Sequence, residues 1–354
     1  MASTYLTLVN NVLRDMNEVE LTSSNFTSSR GVQTTIKDYI NRSISDILNA
    51  EINWPFTRAE GSVDAIAGKQ LYSFASIAST LKYIDYDNVF LMPKDYITNG
   101  DFEISGSASI TGWTAVSGTP AASSKFGNTM LVTSAEATQA ISDLIVGRTY
   151  VILIQTSGST LTLEVGTSSG GSQTTSSTLT IASGNEVLFS EITFVATSTV
   201  HYVSFTESAG EPAYIKIVQL MENVTPASLK YISFEEYSEK YRERDSRPDT
   251  DKFAEPEYIY TNYNDEIGLT PIPDTSNRTI AFDYYTVNVD LSLHGDTSVI
   301  PTRFESVINA RAKYYTYMFR SDVQTAQYAL KEYEDGVKRM RIELINRKNY
   351  MRAV

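Results

Sequence analysis

The stretch Gly166-Thr167-Ser168-Ser169-Gly170 spells G-x-S-x-G, the sharp elbow that presents a serine nucleophile when a strand precedes it, a helix follows and an Asp and a His lie in reach. The residues after it, Gly171, Ser172, Gln173, Thr174 and Thr175, start no helix, and a Ser/Thr/Gly-rich background produces chance matches, so we read a turn. Two acidic pairs, Asp101 with Glu103 and Asp249 with Asp251, have the residue types for glycoside hydrolysis, which needs two carboxyls about 5 to 9 Å apart. Sequence shows no such separation, and solvated turn or loop carboxylates are the plainer reading. Trp113, directly after Gly112, is either a core ring or a platform on which a sugar stacks. Cysteine is absent and histidine is limited to His201 and His294, which removes disulfides, thiolate metal sites, cysteine nucleophiles and His-rich centres. No catalytic residue and no cofactor are expected.

These residues sit in a chain of 354 residues with 42% hydrophobic content, enough for two or three domains. No apolar run approaches the roughly 18 residues of a membrane span. The N-terminus lacks a basic segment followed by an apolar one, so neither membrane insertion nor a signal peptide is expected. A net charge of −13 argues against a general nucleic-acid coat. The charge is uneven, however: Lys338, Arg339, Arg341, Arg347, Lys348 and Arg352 crowd the C-terminal end against Glu332, Glu334, Asp335 and Glu343. Cations favour a helix C-terminus and keep it solvated; alternatively Lys338, Arg339, Arg341, Arg347 and Lys348 form an interface for an acidic partner, or face nucleic acid.

The elements that must position these groups begin and end as helices. Leu6, Val9, Val12, Leu13, Met16 and Val19 mark a first helix over residues 4–19, and Val32, Ile36, Tyr39, Ile40, Ile44, Ile47 and Leu48 a second that stops before Trp54-Pro55. Trp54 is expected to plug the second helix onto the helical body. At the other end, Pro301 suits a first helical turn, and Phe304, Val307, Ile308, Arg311, Tyr315, Met318 and Phe319 follow at helical spacing. After Ser321 and Asp322, residues Ala326, Leu330, Tyr333, Val337, Met340 and Leu344 step by fours and threes into a narrow seam. Helical faces at both ends predict one body made from both termini.

Between them, 62–66, 70–74 and 81–91 read as strands with a turn at Gly68, and 257–263, 267–271 and 279–289 as three more. Ser233 with Glu236 signals a capping box, and 242–251 reads as a charged loop. From residue 98 to 223 the chain turns rich in Ser, Thr and Gly, with apolar runs at 129–132, 150–155, 161–165, 187–194, 200–205 and 214–220. That spacing predicts a self-contained antiparallel β-sandwich. Matching texture on either side predicts that it is inserted into one sheet holding both 89–91 and 229–232. Many of the 23 tyrosines, among them Tyr231, Tyr237, Tyr241, Tyr258, Tyr260, Tyr263, Tyr284 and Tyr285, fall in these flanks, and tyrosine is enriched at interfaces.

Two resemblances follow. Ile52-Asn53-Trp54-Pro55-Phe56, the step from Leu229 to Tyr237, Pro271-Ile272-Pro273-Asp274, Tyr284-Tyr285 and Arg311 to Tyr315 resemble the adaptor proteins of tailed bacteriophages, the tail tubular protein A or head-to-tail connector type. The likeness covers residues 1–95 and 226–354. It implies a twelve-fold ring seated beneath the portal and bridging it to the tail nozzle. Asn99-Gly100-Asp101-Phe102-Glu103 with Gly112-Trp113 is similar to the opening strand of jelly-roll carbohydrate-binding modules. In that family the first and last strands often hold a structural calcium, which makes Asp101 and Glu103 weak metal candidates. Tyr214-Ile215-Lys216-Ile217-Val218 departs from the family's paired aspartates at the end.

The expectation is an α+β protein: a helical bundle from both termini plus a small β-sheet in residues 1–97 and 224–354, with a jelly-roll-like sandwich inserted at 98–223. The expected function is a non-enzymatic virion adaptor at the head–tail junction, made in the host cytoplasm. Its expected partners are the portal protein, the tail nozzle or next tail component and its own copies, with DNA passing through the channel without sequence-specific binding. The alternative is a carbohydrate-binding or carbohydrate-active protein carried on a helical scaffold, with Trp113 as the glycan platform.

Overall fold

The computed structural model of the chain describes residues 3–103, 110–179, 187–249 and 252–345. The first helix, α1 (Tyr5–Asp15), starts at Thr4, whose hydroxyl accepts from the Thr7 N–H, and buries Tyr5, Leu8, Val9, Val12 and Leu13. It is shorter than the periodicity predicts. Asn17 takes a positive φ of 57° that breaks the helix, leaving Val19 77% exposed. The second helix, α2 (Val32–Ala50), has the predicted extent and buries Ile36, Ile40, Ile44, Ile47 and Leu48. Trp54 is 1% exposed and donates its indole N–H to the Ile47 carbonyl at 2.8 Å, so it does plug the end of α2.

Strand β1 (Arg58–Asp64), β2 (Leu71–Ser73), the single turn α3 (Phe74–Ile77) and β3 (Leu81–Pro93) follow. The chain then enters a sandwich of ten strands: β4 (Thr114–Ser117), β5 (Ala121–Ser123), β6 (Thr129–Val132), β7 (Ala135–Ile141), β8 (Thr149–Gly158), β9 (Leu161–Gly166), β10 (Thr175–Leu179), β11 (Val187–Val195), β12 (His201–Glu207) and β13 (Ala213–Glu222). They pair antiparallel into two five-stranded sheets, β10-β9-β12-β7-β4 and β11-β8-β13-β6-β5. Between the sheets lies one apolar core drawn from residues 96 to 220, with Met130, Ile152, Leu163, Phe205 and Ile215 among its buried members. Residues 97–103 form a turn, not the opening strand that the resemblance implies. Asn99 and Phe102 both have φ near +53°, and Gly100 passes so close to β13 that a Cβ would lie 2.0 Å from the Val218 carbonyl oxygen.

Beyond the sandwich come β14 (Ala227–Ser228), β15 (Lys230–Tyr231), α4 (Phe234–Lys240), α5 (Arg242–Asp245), β16 (Tyr258–Thr261), β17 (Glu266–Thr270) and β18 (Arg278–Thr286). Ser233 caps α4 by accepting from the Glu236 N–H. The segment after it is not all loop: α5 carries the buried Asp245, which is paired with Arg244. The expected single sheet is two. β14 pairs with β3 in the order β1-β18-β3-β14, but two residues later β15 pairs in parallel with β16, in the order β15-β16-β17-β2. Both sheets share a core of Tyr72, Ile84, Leu91, Ile259, Leu269 and Phe282.

The last helices are α6 (Glu305–Phe319), entered through a 3-10 turn at Thr302–Phe304, and α7 (Val323–Leu344), capped by the Asp322 carboxylate on the Thr325 N–H. Together with α1 and α2 they enclose a separate core that includes Leu8, Val12, Ile40, Ile47, Trp54, Ile308 and Met340. Helix α6 lies between α7, α2 and α1. Gly336 lets α7 approach closely, since a Cβ there would lie 2.7 Å from a methyl of Val307. The apolar stripe of α6 is not wholly buried: Met318 and Phe319, at its last turn, are 44% and 57% exposed.

Replacing Trp54 by Ala removes a fully buried ring and its hydrogen bond, and is expected to cost about 3 to 5 kcal/mol in equilibrium unfolding. A cost below about 1 kcal/mol would mean that Trp54 does not tie α2 to the body.

Candidate functional site: the helical body and its attached sandwich

The four helices present the basic groups predicted from sequence, and the structure divides them. Lys338 and Arg339 are exposed on α7, with no ionic partner among the described residues. Arg341 is not free for a partner: its Nε donates to Glu51 at 2.6 Å and its Nη2 to the Ala50 carbonyl at 3.1 Å. It thereby closes the C-terminus of α2, where a cation offsets unpaired carbonyls. Arg347 and Lys348 lie outside the described residues.

A denser cluster holds α6 to α2. Arg311 donates from Nε to Asp46 at 2.6 Å, and the Tyr315 hydroxyl bonds the same carboxylate oxygen. The Arg311 guanidinium also stands over the rings of Tyr314, Tyr315 and Tyr333, at 5.0, 4.7 and 4.7 Å from their centroids. Arg42 covers Tyr315 at 4.3 Å. A planar cation suits this enclosure, because it stacks on ring faces while bonding a carboxylate at its edge. Burial pushes the Tyr333 and Tyr315 hydroxyls above their ordinary range.

On the sheets, a row of tyrosines crosses from β18 through β3 to β15. Tyr285 and Tyr83 lie 6.3 Å apart, Tyr83 and Tyr86 5.9 Å, and Tyr86 and Tyr231 4.1 Å in a stack. Tyr83 and Tyr231 are exposed, whereas Tyr86 is covered and bonded to Thr261, and burial pushes its pKa up to about 12. Other flank tyrosines are packing groups: Tyr237 and Tyr260 are buried and stacked at 3.9 Å.

The sandwich is anchored where its two ends meet. The Tyr96 N–H donates to the Leu220 carbonyl at 2.8 Å, and the Leu220 N–H donates to Asp95 at 3.1 Å. Asp95 is desolvated there, which raises its pKa against the pull of the N–H groups it accepts. Next to it Glu222, 3% exposed, is bound by Arg148 at 2.6 Å on one oxygen and by Asn277 on the other. Asn277 in turn accepts from the Lys94 N–H at 3.0 Å. One buried carboxylate thus joins the loop before β8, the end of β13 and the start of β18.

The other predicted site residues are not brought together. Asp101 and Glu103 are exposed on either side of the buried Phe102, and no group of metal-capable side chains occurs among the described residues. Trp113 is a packing ring, not an open platform. It lies against Phe102 at 5.8 Å and Phe205 at 5.5 Å, with its indole N–H buried and unpartnered among the described residues. Ser168 accepts from the Gln173 amide at 3.1 Å in a bend after β9, with no helix behind it. His201 is buried beside Phe194, where desolvation lowers its pKa. Asp249 is described, but Asp251 lies outside the described residues.

A protein-family model described as SU10 adaptor protein matches residues 174–354, just over half of the chain. The chain belongs to the SU10 adaptor protein family. The match takes in α4 to α7, both flanking sheets' later strands, and the sandwich from β10 onward; it does not extend to residues 1–95, which the sequence resemblance also included. No curated protein matches this adaptor. Among solved structures, it is similar to TmCBM61 in complex with beta-1,4-galactotriose, with 16% identity, 37% of this chain and 99% of that one, and a TM-score of 0.29. The CBM22-1 xylan-binding domain from Paenibacillus barcinonensis Xyn10C gives 8% identity, 38% and 97% coverage and a TM-score of 0.29. The enzymatically active domain of tailspike protein 4 of bacteriophage CBA120 gives 18% identity, 36% and 21% coverage and a TM-score of 0.29. The adaptor's sandwich fold rests on its own strand pairing.

The Arg311 cluster is half-sheltered, with side chains of Arg311 and Asp46 19% and 28% exposed. Arg311→Ala is expected to destabilise the adaptor by more than the about 1 kcal/mol of an exposed pair and less than the about 5 kcal/mol of a fully buried one. Arg311→Lys should recover little of the loss, because an ammonium cannot lie flat on three rings. Denaturant unfolding in which the Lys variant matches the parent chain would show that charge alone, not the aromatic enclosure, holds α6 to α2.

Proposed function

We propose that this adaptor is a non-enzymatic virion structural protein that forms a ring at the head–tail junction, joining the portal protein to the next tail component around a DNA channel. Membership of a phage adaptor family carries the reading. The helical body supports it in physical terms. Its internal cations are committed, Arg311 to Asp46 and Arg341 to Glu51, while Lys338 and Arg339 are left exposed on one helix. On a chain of net charge −13, such an exposed basic strip favours an acidic protein surface, and we assign it to the portal. The exposed tyrosines Tyr83 and Tyr231 suit contacts between neighbouring copies, because they supply large area with few rotamers to freeze. A twelve-fold ring, with the sandwich standing on its outside, is the arrangement the adaptor reading implies. DNA would pass through without sequence-specific contact.

In purified virions the adaptor should occur at the copy number of the other connector-ring components; a chain found only in lysates of infected cells contradicts the reading. Lys338→Gln with Arg339→Gln should weaken association with isolated portal and flatten its salt dependence. The fold should survive, since exposed charge changes shift stability by about 0.5 kcal/mol or less. Portal binding that is unchanged at low salt would free these two residues from the interface.

A further inference from the structure

A strand that is solvated on one side alternates in character, but β8 runs Tyr150-Val151-Ile152-Leu153-Ile154 without a break, the pattern of a strand covered on both faces. Tyr150, Ile152 and Ile154 point into the core between the sheets. Val151 and Leu153 point outward, and register sets more apolar groups on the same outer face, Val187 and Phe189 on β11 and Tyr214 and Ile217 on β13. Phe189 is 66% exposed, Val187 49% and Ile217 39%. The outer face of the other sheet carries Glu136, Thr138, Glu164 and Ser204 in the matching positions. The apolar character therefore belongs to one sheet and not to the sandwich at large.

That face holds both a knob and a hole. The knob is Phe189, on the outward row of the edge strand β11. The hole is a mostly apolar pocket of about 260 Å³, lined by Phe126, Val187 and Tyr214 together with Lys216. A cavity of about 150 Å³ already takes a benzene ring, so a phenyl side chain has room in it. Phe189 is not one of the pocket's own walls. Charge on the face is sparse and of both signs: Glu191, two residues beyond Phe189 on the same row, and Lys216, at the bulge between Ile215 and Ile217, are exposed and have no ionic partner among the described residues.

Turning a second copy by 180° about an axis in the plane of this face, passing midway between Phe189 and the pocket, exchanges the two. Each Phe189 arrives over the other copy's pocket. The same turn carries Glu191, farther out along β11, past the pocket to β13, where Lys216 stands. A surface that complements itself in this way is what a two-fold contact requires. We propose that the free adaptor pairs with a second copy of itself through this face, each Phe189 seated in the partner's pocket and each Glu191 against the partner's Lys216. Strands β11, β8 and β13, of 9, 10 and 10 residues, cover about 450 Å² at a spacing of about 4.8 Å and a rise of about 3.3 Å per residue. That is below the about 800 Å² per partner of a standard stable complex, so the pair is weak and reversible. Neighbours in a ring built on one rotation axis meet through unlike surfaces, so this contact belongs to the protein outside the ring and is independent of the head–tail role.

Sedimentation velocity of the full-length protein, from about 1 to about 200 μM, should show a reversible monomer–dimer equilibrium with a micromolar Kd. Phe189→Ser should raise that Kd at least about tenfold and keep the unfolding midpoint, because the ring is exposed. Phe319→Ser, which removes a ring of similar exposure on the helical body, should leave the Kd unchanged. Glu191→Lys and Lys216→Glu should each weaken pairing by placing like charges together, and the chain that carries both should regain it. A monomer at every concentration would leave the face to a foreign partner and overturn the proposal. Self-association of any size that is indifferent to Phe189→Ser overturns it as well. A double charge variant that pairs no better than the single ones would remove the contact between Glu191 and the partner's Lys216, and with it the two-fold arrangement.

Discussion

Asp46 and Arg311 are separated by 265 positions in the chain and by 2.6 Å in space. Everything between them must leave the helical body after α2 and return to it before α6. The driving force is ordinary: α1, α2, α6 and α7 each carry an apolar stripe, and none can bury it alone. What Asp46, Arg311 and the rings of Tyr314, Tyr315 and Tyr333 add is register, because a planar cation between a carboxylate and three aromatic faces has one good position. Arg341 repeats the device at the end of α2, and Gly336 sets how closely α7 may lie on α6.

The same constraint explains how a whole sandwich can be carried without disturbing the body. Its entry and exit segments touch at Tyr96 and Leu220, so the chain leaves β3 and re-enters at β14 beside the same strand. The sandwich keeps its own core, and its attachment is polar: Glu222 shared by Arg148 and Asn277, with Asp95 on the Leu220 N–H. A buried carboxylate held from both sides fixes orientation more than it adds stability, because desolvation offsets much of its attraction.

Much of this was legible in the residues. Period-3.6 spacing marked α2 as a helix that ends ahead of Trp54-Pro55, and the apolar runs at 129–132 and 161–165 fall on β6 and β9. Strand β7 escaped notice because Ala135-Glu136-Ala137-Thr138-Gln139-Ala140-Ile141 has small and polar residues where β-formers are expected, although Ala135, Ala137 and Ile141 do alternate inward. The second flanking sheet was hidden for another reason. Its β15–β16 pairing is parallel and links residues that no local pattern connects. Charge was the least legible layer: a string of cations near the C-terminus does not reveal that Arg341 belongs to Glu51 while Lys338 and Arg339 have no ionic partner among the described residues. Trp113 attracted attention by type, and it packs partly buried against Phe102 and Phe205.

The central claim is that the paired chain ends form the contact body of a head–tail adaptor and that the sandwich is carried outside it. A cryo-electron microscopy map of the head–tail junction in intact particles tests this most directly. The account predicts density for this chain in a ring beneath the portal, with α1, α2, α6 and α7 at the portal and neighbour contacts and the sandwich on the outer surface, away from the DNA. A ring in which the sandwich lines the channel, or a junction with no density for this chain, would contradict it.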